Sequence, residues 1–189
     1  MRHGESTWNA EDRLQGQADP PLSARGRAQA EESLERMRHF APDTVVSSDL
    51  VRAVETAEIL GYADPVLDPR WREVDIGEWT GRIGGDVRAE APEAFAAWRA
   101  GRRPAPGGEE APAFMARVEG AARELLEGEG TVMVICHGGP IRVACAALLG
   151  VDLRQLAGVG NGSATVLEHN GTAIRLVAYN QGGEGSETI

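Results

Sequence analysis

Two histidines in this chain stand where a phosphoryl group or similar anion could be handled. His137 ends the apolar run from Thr131 to Cys136 and is followed by Gly138, Gly139 and Pro140, which open a second apolar stretch. A strand that feeds directly into a helix leaves the first helical amides unpaired, and the helix dipole adds partial positive charge, so this junction is a natural anion site. Two glycines let an anion approach closely, and Pro140 fits the N1 position. His3 lies at the other end of the chain, within Arg2-His3-Gly4-Glu5. A neutral imidazole there could serve as a nucleophile, although four residues alone do not distinguish that role from a packed histidine.

Arg52 is the third candidate. The sequence places it in the first turn of a helix that Ser48 and Asp49 are expected to cap. A cation there opposes the helix dipole, at a cost of roughly 0.3 to 1 kcal/mol if exposed, so something other than helix stability selects it. An acid or base could come from Glu73, Asp75 or Glu78, all in the loop from Trp71 to Trp79. Residue type does not choose among these three, because most carboxylates in a charged loop are simply solvated.

The elements that must carry these residues follow from hydrophobic period and punctuation. Ser23 is a plausible N-cap for a helix on which Ala30, Leu34, Met37 and Phe40 recur at helical spacing. Thr44 to Ser47 reads as a short β-branched strand, followed by the Arg52 helix, which ends near Gly61. Residues 6 to 22 read as a long loop, Val66-Leu67 as a short strand, and Pro92 to Ala100 as a helix. Phe114, Val118, Ala121 and Leu125 define an amphipathic helix; Thr131 to Cys136 has the continuous apolar character of a strand buried on both faces. Ile141 to Leu149 continues as a helix. Asn170-Gly171 marks a hairpin between Ser163 to Glu168 and Ala173 to Ala178. Strands alternating with helices predict an α/β domain over residues 1–180 with a mainly parallel sheet, and a disordered Gly-rich tail over 181–189.

Several separated stretches share one resemblance. Arg2-His-Gly-Glu5 with Trp8-Asn9, Arg13-Leu-Gln-Gly16, Pro21-Leu-Ser23, Gly26 and Gln29-Ala30 resembles the N-terminal signature of the histidine phosphatase superfamily, the phosphoglycerate mutase-like proteins. Ser47 to Ala57, Arg72 to Gly81 and Val134 to Arg142 resemble its later segments. The resemblance implies a three-layer fold with a central, mainly parallel sheet flanked by helices. It implies a phosphohistidine on His3, phosphoryl binding by Arg2, Arg52, His137 and the Gly138 amide region, and Glu73 as the general acid and base. It also puts Asn9 on a phosphoryl oxygen, with Gln15 and Gly16 bordering the substrate mouth. No metal or other cofactor is implied, since cationic side chains take the metal's place.

Within the family, the short middle region favours hydrolysis over mutase-type transfer, because mutases resembling this chain are usually longer. A non-catalytic phosphate-binding module is the rival from another class, and it would have no need of Glu73. Glu110 stands where family members often carry Ser, and its charge is expected to disfavour a strongly anionic substrate tail. The expected partner is a small phosphorylated metabolite, and a homodimer is compatible with this reading. Only Met1 precedes Arg2, where the family carries an apolar strand, so a natural start upstream is expected.

Composition narrows the classes further. At 189 residues the chain suits one domain with a sizeable core. A formal net charge of -10 argues against nucleic acid or an anionic membrane as a general partner, so an anionic substrate needs a local cationic pocket. Cys136 and Cys145 are expected to be free thiols, and the absence of a leader or an apolar span points to the cytoplasm.

Overall fold

The computed structural model describes residues 1–183. At its centre lies a parallel sheet of β1 (Thr44–Ser47), β2 (Val66–Leu67) and β3 (Val132–Ile135), in the order β2-β1-β3. β1 pairs residue by residue with β3, from Thr44 opposite Val132 to Ser47 opposite Ile135. Around it stand α1 (Thr7–Ala10), α2 (Ala24–Arg38), α3 (Val51–Ile59), α4 (Gly84–Glu90), α5 (Pro92–Arg99), α6 (Ala111–Leu125) and α7 (Gly138–Leu149). The hairpin of β4 (Ala164–His169) and β5 (Ile174–Gln181) closes the fold.

The two-residue period of β3 sorts its side chains between two cores. Met133 and Ile135 pack with Met37 of α2 and with Ala53 and Ala57 of α3. Val132 and Val134 meet the opposite cluster, which holds Val118 and Ala121 of α6 and Ile141 and Ala144 of α7. Helices therefore cover both faces of the sheet, giving the three expected layers. β3 is less enclosed than its apolar run suggests, since Val132 and Val134 are only half-buried. They line a groove of about 820 Å³ whose far wall includes Ala164, Val166 and Leu167 of β4.

Residues 1–3 extend the sheet past β3 through a parallel bridge between Arg2 and Cys136. Cys136 N donates to Met1 O at 2.9 Å and His3 N to Cys136 O at 3.0 Å, while Arg2 N donates to Ser163 O and Gly162 N to His3 O. Backbone pairing on both edges thus sets His3 beside the end of β3, next to His137. The backbone just beyond touches α2 so closely that Gly26 admits no side chain, for a Cβ there would lie 1.9 Å from Glu5 O.

Several expectations change. Residues 6 to 22 contain a short helix, α1, where Ser6 and Asn9 form a capping box, and α4 precedes the anticipated helix at Pro92. α7 begins at Gly138 with His137 as N-cap, which puts Pro140 at the third helical position rather than N1. Its missing N–H is harmless there too, because the first-turn amides have no helical partner. Asp49 does not cap α3; its carboxylate is taken by Arg72 at 2.7 and 2.5 Å, and Asp19 Oδ1 accepts from Val51 N at 2.6 Å instead. Gln181 is the last residue of β5, so the tail cannot begin there, and residues 184–189 lie outside the described residues.

Other expectations hold. Ser23 Oγ accepts from Gly26 N and caps α2, and the Asn170 side chain accepts from the amides of Thr172 and Ala173 in the hairpin turn. Cys136 and Cys145 are free and buried, and burial pushes both thiols up to about 11. Among the described residues no helix is long and apolar enough to cross a membrane.

Candidate active site

One cavity of about 630 Å³ gathers Arg2, His3, Asn9, Gln15, Gly16, Arg52, Glu73, His137 and Gly138. The two histidine rings, from opposite ends of the chain, stand 5.0 Å apart between centroids, edge to face. His3 is 2 % exposed, and its Nδ1 donates to the carbonyl of Gly4 at 2.5 Å. That bond places the proton on Nδ1 and leaves Nε2 as the acceptor, which receives the Nε proton of Arg52 at 3.3 Å. Burial, then the charges of Arg52 and Arg2, hold the His3 pKa well below the usual 6.5. The ring is therefore neutral near pH 7, with its Nε2 lone pair facing the Arg52 guanidinium.

Arg52 is buried and held on three sides: besides His3, its Nη1 donates to Ala18 O at 2.8 Å and its Nη2 to Gly16 O at 3.0 Å, which leaves one N–H on each Nη for a ligand. Burial lowers its pKa to about 10, which keeps it charged. The first turn of α3 tolerates this cation because the loop carbonyls of residues 16 and 18 meet it. Arg2 Nη1 donates to Val159 O at 2.5 Å. His137 Nε2 stands 2.9 Å from Ser48 Oγ, and that hydroxyl also accepts from Leu50 N. If the Ser48 hydroxyl donates to Nε2, Nδ1 of His137 is the N–H donor. Nδ1 has no partner among the described residues, and burial followed by Arg52 and His3 keeps this ring neutral too.

Glu73 alone of the three loop carboxylates lines the cavity. Its Oε1 accepts from Val74 N at 2.8 Å and its Oε2 from Gly139 N at 3.0 Å. A Cβ on Gly139 would lie 2.2 Å from Oε1, so a side chain there would push the carboxyl away from its place at the helix end. One of the two amides expected to receive an anion at α7 is thus taken by Glu73, and Gly138 keeps the other. Asp75 turns back to the amide of Gly77.

The remaining expected contacts are held from behind. Asn9 Oδ1 accepts from Ser6 N and Asn161 Nδ2, which leaves its amide nitrogen as the uncommitted end among the described residues. Gln15 Oε1 accepts from Ser6 Oγ at 2.7 Å. Gly16 both lines the cavity and holds Arg52 through its carbonyl. Glu110 precedes α6 as its N-cap, is exposed and is not part of the cavity wall.

A family model described as the histidine phosphatase superfamily (branch 1) matches residues 1–182. The chain belongs to the histidine phosphatase superfamily. Glucosyl-3-phosphoglycerate phosphatase of Mycolicibacterium vanbaalenii is 39% identical over 184 residues, covering 86% of this chain and 80% of the relative. Phosphoserine phosphatase 1 of Hydrogenobacter thermophilus is 34% identical, covering 85% of this chain and 79% of the relative. A solved mycobacterial glucosyl-3-phosphoglycerate phosphatase in complex with VO3 superposes with a TM-score of 0.86 at 36% identity, covering 95% of this chain and 96% of that one. Like these relatives, this histidine phosphatase is a phosphate-ester hydrolase.

The phosphatase site also depends on residues that sequence reading passed over. Arg117 of α6 donates to the carbonyls of Arg70, Arg72 and Glu73 and holds both oxygens of Glu109, fixing the loop that presents Glu73. Asn161 donates to the carbonyls of His3 and Gly4, and Thr56 Oγ1 accepts from Gly4 N. Their signals are weak, because an Arg on a helix face or an Asn beside Gly has many ordinary uses. Trp79 is core, Phe95 packs against it, and Trp98 lines the cavity.

Proposed function

We propose that this phosphatase hydrolyses phosphomonoesters through a phosphohistidine on His3. Nε2 of His3 forms a bond to phosphorus as the bond to the leaving alcohol oxygen breaks. Arg2, Arg52, Nδ1–H of His137 and the Gly138 amide offset the charge on the equatorial oxygens, while Asn9 adds its amide nitrogen. Glu73 gives its proton to the departing alkoxide. Water then attacks phosphorus, Glu73 takes the water proton, and the N–P bond breaks to release inorganic phosphate and the original imidazole.

The observation that carries this reading is the state of His3: a neutral ring, with Nδ1 committed to Gly4 O and the Nε2 lone pair turned to the Arg52 guanidinium. An imidazole that served only as a buried strut would not need its lone pair pointed at a buried guanidinium group. Cationic side chains are the charge partners at hand, since Arg2 and Arg52 both line the cavity. Among the described residues, no group of three or more His, Cys, Asp or Glu is placed to hold a metal ion. The substrate is a small phosphorylated metabolite, and the relatives named above make glucosyl-3-phosphoglycerate the first compound to assay.

Rapid alkaline quench during turnover of p-nitrophenyl phosphate in excess EDTA tests the reading. Intact mass and peptide mapping should find one phosphoryl group on His3, acid-labile and absent from His3→Ala. Undiminished turnover by His3→Ala, or activity abolished by EDTA, would overturn it.

A further inference from the structure

Resting on the phosphohistidine reading above, the nucleophile needs a fixed acceptor as much as it needs a neutral ring. His3 holds its proton on Nδ1 because the Gly4 carbonyl is there to receive it. Should that carbonyl turn away, the proton is as well placed on Nε2, where it removes the attacking lone pair. Gly4 lies in irregular backbone between Arg2 and Ser6, so no strand ladder fixes its carbonyl. Side chains have to do so.

Asn161 supplies the anchor. Its Nδ2 lies 3.2 Å from Gly4 O, 3.3 Å from His3 O and 3.2 Å from Asn9 Oδ1. Backbone carbonyls only accept, so the nitrogen end of this amide faces them and shares its two hydrogens among the three oxygens. Asn161 is not part of the cavity wall and acts through the groups it holds. One side chain thus grips the acceptor of the His3 proton, the carbonyl of His3 itself and the oxygen end of Asn9.

The loop that presents Asn161 serves the same stretch from end to end. Val159 O accepts from Arg2 Nη1, Gly162 N donates to His3 O at 3.0 Å, and Ser163 O accepts from Arg2 N at 2.9 Å. Asn180 holds this loop from β5, where its Oδ1 accepts from Gly160 N at 2.7 Å. Its φ of 51° lies in the left-handed region, which asparagine tolerates better than most residues. Ala164 opposes Gln181 while Val166 opposes Ala178, so β5 carries an extra residue here. Such a bulge re-aims a side chain, and this one accompanies the turn of Asn180 toward the loop.

We propose that Asn161 is a positioning residue for the nucleophile. It fixes the Gly4 carbonyl that selects the reactive tautomer of His3 and the Asn9 amide that meets the phosphoryl group, and Asn180 keeps it in place through Gly160.

Nitrogen NMR of protein with isotope-labelled histidine reads the tautomer directly, with His3→Gln identifying the His3 signals. Wild type should show His3 protonated at Nδ1, and Asn161→Ala should move both ring nitrogens toward the averaged positions of exchanging tautomers. In the same variant kcat/KM for p-nitrophenyl phosphate, which reports phosphoryl transfer to His3, should fall at least about tenfold. The loss should be smaller in an Asn9→Ala background, because part of it passes through Asn9. Asn180→Ala should give a weaker loss in the same direction. Asn180→Asp keeps the acceptor and the tolerance for left-handed backbone, so it should restore most of the rate. Asn170→Ala, in the exposed turn of the same hairpin, should change neither reading. A His3 tautomer unaltered in folded Asn161→Ala would overturn the proposal, whether or not the rate falls. Should that variant fail to fold, equal kcat/KM in Asn180→Ala and Asn180→Asp would overturn it instead. Wild type that forms no phosphohistidine would remove the phosphatase mechanism and this inference with it, whereas the tautomer and rate results leave that mechanism standing.

Discussion

Glu73 and Gly139 meet across the cavity, with the Glu73 Oε2 accepting from the Gly139 amide at 3.0 Å. A single contact thereby satisfies a first-turn amide of α7 and sets the carboxyl beside the end of the sheet. The same helix end that would attract a phosphate is shared between the substrate site and the proposed acid.

That sharing makes Gly139 as sensitive as Glu73 itself. A methyl group at Gly139 would have to displace the Glu73 carboxyl, because the built Cβ falls 2.2 Å from Oε1. Gly139→Ala and Glu73→Gln should therefore show the same pattern. Loss of kcat/KM should reach about 100-fold on alkyl phosphates, whose leaving groups need a proton, and be much smaller on p-nitrophenyl phosphate. Steady-state kinetics on both ester types checks this; equal losses on the two would count against Glu73 as the acid.

Arg117 is predicted to act through Glu73 without touching substrate. It grips three carbonyls of the loop and both oxygens of Glu109. Arg117→Lys keeps the charge but cannot reproduce a planar fork with five donors. We expect kcat on alkyl phosphates to fall roughly 10-fold with KM little changed, since a misplaced acid harms the transition state more than binding. A change confined to KM would show that Arg117 shapes the substrate wall instead.

How far these relations were legible in the sequence depends on their range. Ser23 as a cap, the α6 stripe of Phe114, Val118 and Ala121, and the Asn170-Gly171 turn are local patterns and could be read directly. The pairing of His3 with His137 depends on a parallel contact between Arg2 and Cys136, which no local period encodes. Only the family signatures pointed to it. Asp19 capping α3, Glu73 reaching Gly139 and Arg117 gripping the 70–73 loop are side-chain bonds to distant backbone. Such bonds leave no trace in spacing, because many other polar residues could have made them.

The two buried histidines tie stability to pH. Both are held well below 6.5 in the fold, chiefly by burial, whereas the unfolded chain binds protons at about that value. Below pH about 6.5 the unfolded state therefore holds more protons, and stability falls as pH falls. Each histidine adds a slope of about 1.4 kcal/mol per pH unit until its folded pKa is reached. Their contribution is complete above that window. Urea unfolding at pH 7.5 and 5.0 should show a marked loss, and His137→Gln should weaken the dependence by removing one of the two protons. An unchanged dependence in that variant would mean that carboxylates, not the histidines, govern acid sensitivity.

Asp19 offers the last test, because it links helix stability to the phosphoryl site. Its carboxylate accepts from Val51 N at the start of α3, one residue before Arg52, while Arg52 reaches back to the carbonyl of Ala18. The loop and the helix thus hold each other through two adjacent contacts. Asp19→Ala should cost about 1 kcal/mol, the usual loss for a missing cap, and should slacken the loop that holds Arg52. Asp19→Asn keeps an acceptor of the same shape, so it should retain most of that stability. If the loop positions Arg52, the Ala variant should weaken competitive inhibition by inorganic phosphate several-fold more than the Asn variant. Equal phosphate affinity in the two variants, despite the difference in stability, would confine Asp19 to capping.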